Sequence, residues 1–80
     1  MVSTVLPQLT TKLSRVHGRL VLQVLDNGAS VQQFTLNTQP LIQMRDVNGD
    51  GIADLVISIK QRKRFVVLAA FSGATAQRIM

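Results

Sequence analysis

The chain is 80 residues long, enough for one small domain with a marginal core. It carries nine Lys and Arg against four Asp, a net charge of +5, and it has no cysteine, so no disulfide can staple it. No stretch approaches the ~18 apolar residues of a membrane span, and Met1–Gln8 lacks the basic start and long apolar run of a leader peptide.

The apolar fraction is 46%, dominated by Val, Leu and Ile, with three Phe as the only aromatics. That composition favours a β-rich globule that leans on a metal, on self-association or on both for stability. Residues 1–9, with Pro7, read as an edge strand or a loose arm. Thr10–Val16 is a short strand, and His17-Gly18 turns the chain. Arg19–Leu25 is the clearest strand, with Leu20, Leu22 and Val24 on one face. Asn27-Gly28 is a strong two-residue hairpin signal. It is followed by a returning strand over Ser30–Leu36 and a loop over Asn37–Pro40. Strands are expected at 41–45, 55–60 and 64–71, with a basic turn Gln61-Arg62-Lys63 and a turn Ser72-Gly73-Ala74. A last strand is expected over Thr75–Met80. No segment has a helical period. The sum is about seven short strands, an all-β chain.

A 45-residue shift aligns Arg19-Leu20-Val21-Leu22 with Arg64-Phe65-Val66-Val67, and Gly28-Ala29 with Gly73-Ala74. It points to a pseudo-repeat, 1–36 and 41–80, inside one small β domain spanning 1–80.

Between two of these strands lies Asp46-Val47-Asn48-Gly49-Asp50-Gly51-Ile52-Ala53-Asp54. It holds three of the four acids of the chain. Oxygen-bearing side chains fall at alternating positions, as a hard cation requires, and Gly49 and Gly51 allow a tight winding. Such a cluster of like charge is unfavourable unless a cation neutralises it. The candidate ligands for Ca2+ are the side chains of Asp46, Asn48, Asp50 and Asp54 and the Ile52 carbonyl. An EF-hand is excluded: its twelfth position requires Glu, which is Ile57 here, and the flanks are strands.

Asp46–Asp54 followed by Leu55-Val56-Ile57 resembles the calcium-binding signature of FG-GAP repeats, found in integrin-α-type β-propellers and related VCBS-type proteins. Arg64–Thr75 resembles the later part of such a blade. The resemblance covers mainly residues 41–80. It implies antiparallel, propeller-blade-like repeats, about one and a half to two units, with the loop as a hairpin connection within a four-stranded blade. A propeller typically closes with four to eight blades. Two units therefore need completion by self-assembly into a homo-oligomer, by other propeller blades of a longer chain, or by collapse as a small independent barrel or sandwich. The implied function is a non-enzymatic module for protein interaction or assembly, with a protein ligand, in an extracellular or cell-surface setting. No nucleophile signature or paired acid and base points to an enzyme, and His17 reads as an exposed turn residue. The alternative is a basic β domain that binds nucleic acid or another anionic polymer through the 60–64 hairpin, using Lys60, Arg62, Lys63 and Arg64. Against it, no Trp or Tyr is present to stack bases, and Phe65 is expected to point into a strand.

Overall fold

A computed structural model describes residues 6–80. Six strands form two three-stranded antiparallel meanders. The first sheet is built from β1 (Leu9–Val16), β2 (Arg19–Asp26) and β3 (Ala29–Leu36). The second is built from β4 (Leu41–Arg45), β5 (Asp54–Gln61) and β6 (Arg64–Phe71). Asn37–Pro40 carries the chain from one sheet to the other. The expected arm over 1–9 falls partly on residues 1–5, which lie outside the described part.

The alternation of the strong second strand decides how the sheets meet. Leu22 and Val24 of β2 and Leu36 of β3 form one core cluster with Leu55 and Ile57 of β5 and Ala69 and Phe71 of β6. Phe34 meets Phe71 edge-on across this interface, with ring centroids 6.3 Å apart. The core is thus a single interface between two sheets, packed face to face. No helix among the described residues is long and apolar enough to cross a membrane.

The three hairpins share one solution. β1–β2, β2–β3 and β5–β6 are each closed by two residues, both with positive φ: His17-Gly18, Asn27-Gly28 and Arg62-Lys63. This backbone suits the right-handed twist of paired strands, and Asn and Gly adopt it at low cost. Arg62 and Lys63, at φ of 49° and 72°, do not. The expected three-residue turn is therefore tighter, and Gln61 still pairs with Arg64. Each sheet also carries a bulge. The register slips between Val24 and Leu25 opposite Val31, and between Ile57 and Ser58 opposite Leu68.

The expected strand over Thr75–Met80 does not form. Ala76 takes a left-handed φ of 64° and donates to the Ser72 carbonyl at 2.8 Å, which curls the chain into a turn. A bridge between Arg78 and Phe71, and backbone bonds between Ala70 and both Ile79 and Met80, line this segment against β6. Each sheet therefore has three strands where the resemblance implied four.

Replacing Arg62-Lys63 with Asn-Gly relieves two left-handed non-glycine residues. The double substitution should stabilise the fold by about 1–3 kcal/mol. In an 80-residue domain this should read as a melting temperature several degrees higher, about 4–8 °C per kcal/mol.

Candidate metal centre

The connection from β4 to β5 is the nine-residue winding singled out in the sequence. Arg45 pairs with Asp54, so the loop leaves and re-enters the sheet at adjacent positions. Gly49 and Gly51 both sit at φ of 81°, which turns successive amides toward the loop interior. Asp46 collects most of them. Its Oδ1 accepts from Gly49 N at 2.8 Å and Asn48 N at 3.3 Å, and its Oδ2 accepts from Gly51 N at 2.9 Å. Asn48 Oδ1 accepts from Asp50 N at 3.2 Å, and Asp50 Oδ1 from Ile52 N at 2.9 Å. Each side chain thus braces the backbone two or more residues ahead, as Asx turns do.

Asp54 differs from the other two acids. Asp46 and Asp50 are exposed, whereas Asp54 is fully buried. Its Oδ2 accepts from Val47 N at 3.0 Å, and its Oδ1 accepts from Gly73 N at 2.9 Å. Among the described residues no buried side-chain oxygen or nitrogen lacks a partner. Gly73 is brought there by the turn after β6, where Ser72 Oγ accepts from Ala74 N and Thr75 N at 3.1 and 3.3 Å. Gly73 sits so close to the loop that a Cβ on it would overlap the Ala53 carbonyl oxygen and press on Ile52 Cγ2. Space, not φ, demands glycine here.

The three carboxylates converge. One oxygen from each of Asp46, Asp50 and Asp54 lies within 4.8 Å of the other two, so the cluster could hold a metal ion. Two oxygens that share one hard cation stand at most about twice the metal–oxygen distance apart, so a spread of this size is compatible with a single ion. The amide bonds leave capacity on each carboxylate: Asp46 Oδ1 accepts two, but its Oδ2 accepts one. Each carboxylate oxygen has two lone pairs, and Asp54 uses one on each oxygen. Asn48 and Ile52 lie within the same winding and are the residues that could extend the oxygen set.

The amides of Gly51 and Gly49 hold the Asp46 carboxyl below its ordinary value of 3.8, with smaller help from Asn48 and Asp50. These bonds favour the ionised form that a cation needs.

The second group of candidates is elsewhere. Lys60 lies near the end of β5, Arg62 and Lys63 form the turn, and Arg64 opens β6, all exposed. They are separated from the acidic loop by the length of β5, about 25 Å at the rise of a strand. His17 is exposed in the β1–β2 turn and does not join the carboxylates.

Sequence reasoning missed the amides of Val47 and Gly73 as partners of Asp54. The only signal was a glycine directly after a strand, which was legible as a turn and not as a close approach. A scan against protein-family models finds no match for this chain, and searches of curated proteins and of solved structures find none either.

Gly73→Ala should destabilise the fold by about 1–3 kcal/mol through overpacking against backbone. Denaturant unfolding checks this, and Ala74→Gly, one residue on, serves as the control for turn flexibility. The Asp46 bonds set a pH dependence of known sign. Because the folded carboxyl is depressed, its contribution is complete above 3.8 and is lost as pH falls through the lower folded value. Acid unfolding of Asp46→Asn should lack that component, so its stability should fall less steeply below pH 3.8 than that of the parent.

Proposed function

We propose that this chain is a non-enzymatic, calcium-binding β module of the propeller-blade kind that serves protein interaction or assembly. The observation that carries the reading is the convergence of Asp46, Asp50 and Asp54 within 4.8 Å in a loop that winds its amides inward. The ion's task is structural. It offsets repulsion among three carboxylates and fixes the start of β5, with Asn48 and the Ile52 carbonyl completing an all-oxygen set. A site of this kind on an extracellular or cell-surface protein fills at millimolar calcium even when its affinity is low.

The strand spacing supports the repeat. β5 and β6 begin and end 45 residues after β1 and β2. Both hairpins turn through two residues of positive φ. The equivalent hairpins use opposite faces in part: Val24 and its counterpart Ala69 are both in the core, but other pairs differ. Leu22 is in the core while its counterpart Val67 is 40% exposed, and Ile57 is in the core while its counterpart Lys12 is exposed. A stack of like sheets has this property, each sheet giving one face to each neighbour. The outward face of the second sheet, where Leu41 and Val67 are exposed, therefore suits a further sheet. We assign it to another propeller blade, from a second copy of the chain or from a longer one.

Calcium at millimolar concentration should raise the melting temperature by several degrees, as expected for a ligand bound only by the folded state. A chelator should reverse the shift, and magnesium should give a smaller one. Asp50→Ala should abolish the calcium shift while leaving the fold without calcium intact, because Asp50 is exposed. An unchanged melting temperature in the parent at saturating calcium would sink the reading. Solution mass by light scattering, with calcium and then with chelator, tests assembly in the same samples.

A further inference from the structure

Two of the tight turns stand together. Arg15 pairs with Leu20, and Leu20 with Leu36, which places the β1–β2 turn at the Leu36 end of the first sheet. Thr35, Leu36 and Asn37 line one cleft with Ile59, Lys60 and Gln61, the turn end of the second sheet. The β1–β2 and β5–β6 tips therefore project from the same end of the molecule. That end holds Arg15, Arg19, Lys60, Arg62, Lys63 and Arg64, all exposed, six of the nine Lys and Arg of the chain. No acid accompanies them. Asp26, beside the Asn27-Gly28 turn, and the three loop aspartates all lie at the opposite end.

Two further observations make this more than a solvated surface. The first is the strain at Arg62 and Lys63. The same chain closes its other two hairpins with His-Gly and Asn-Gly, yet at this tip it holds two long cations in the left-handed region. Strain kept where a cheap substitute exists marks side chains that are needed in place. The second is Phe65. It pairs across the strands with Lys60 and is 56% exposed, not tucked into the strand as expected. An aromatic ring is thus presented flush beside the cations.

We infer that this end is a binding site for single-stranded nucleic acid. The cations of the two tips take successive phosphates, and a base stacks on Phe65. The ring is what favours a polynucleotide over a sulfated polysaccharide, which offers the same anionic chemistry but no planar base. The site is independent of the acidic loop at the other end and of what that loop binds.

The test is fluorescence anisotropy with a labelled oligothymidylate of about 16 nucleotides, titrated with the whole chain between roughly 50 and 200 mM salt. Affinity should fall steeply with salt, by about 0.7 in log–log slope for each cation engaged. Arg62→Asn with Lys63→Gly should weaken binding and flatten the slope by about 1.4, although the protein melts higher, so loss of fold cannot explain the loss of binding. Arg15→Gln with Arg19→Gln should do the same from the other tip. Phe65→Leu should weaken binding about tenfold with the slope unchanged. Competing heparin and a labelled duplex form the discriminating arms. Absence of binding at low salt overturns the inference, as does indifference to either tip variant. Equal affinity for duplex or heparin, together with indifference to Phe65→Leu, rejects the single strand as the partner.

Discussion

One buried carboxylate holds this molecule's working end together. Asp54 opens the central strand of the second sheet, takes the Val47 amide with one oxygen and the Gly73 amide with the other, and has no exposed surface. It thereby ties the β4–β5 connection to the turn after β6. A buried charge is tolerated only when it is hydrogen-bonded or neutralised, so neither connection can move away without stranding it. One oxygen of Asp54 also lies within 4.8 Å of an oxygen from each of two more carboxylates, Asp46 and Asp50. Fold and site therefore share an atom group. An ion that binds there draws its affinity from the same ordering that folds the loop, and its binding free energy becomes folding free energy. For a chain of 80 residues without disulfides, that coupling matters more than it would in a large domain.

The meander topology sorts charge as a by-product. In both sheets a turn that carries or is flanked by long basic residues falls at one end, and every acid falls at the other. The ends are about 25 Å apart along a strand, more than twice the Debye length of about 10 Å at 0.1 M salt. Each end thus sets its own electrostatics. The acidic end can concentrate cations without being cancelled by the six Lys and Arg of the other end, and the basic end presents a positive field that the loop aspartates do not quench.

How much of this was legible in the sequence depended on the range of the cause. Strands β2 and β5 were visible because alternation and β-branched content are local, and the acidic winding was visible because its ligands lie within nine residues. The Asn27-Gly28 hairpin announced itself by composition. Arg62-Lys63 could not, because its backbone is imposed by the pairing of Gln61 with Arg64 and not by its own preference. The turn expected at 72–74 runs on to Ala76 in place of the start of an expected strand, because the Ser72 hydroxyl braces it locally and Gly73 is tied to Asp54 across 19 residues. The exposure of Phe65 was hidden for a related reason. A strand's period shows that residues alternate, but which face meets the other sheet is decided by tertiary packing.

Phe65 is also where the two surfaces of the second sheet meet. The outward face of that sheet runs from Leu41 and Val56 through Val67 to Phe65 at the tip. A neighbouring sheet seated as far as Val67 leaves the ring open beside Lys60, whereas one that extends to the turn covers it. In the second case a docked sheet and a stacked base need the same surface, and each weakens the other by an equal free energy, since linkage is reciprocal. The bulge at Leu68 bears on which arrangement forms. It interrupts the register between Ala69 and Val67, and a bulge increases local twist and bends its strand. The tip is thereby turned out of the plane of the sheet's buried half. A neighbour seated on the exposed side chains of Leu41 and Val67 that stops where the strand bends leaves the basic tip and its ring open.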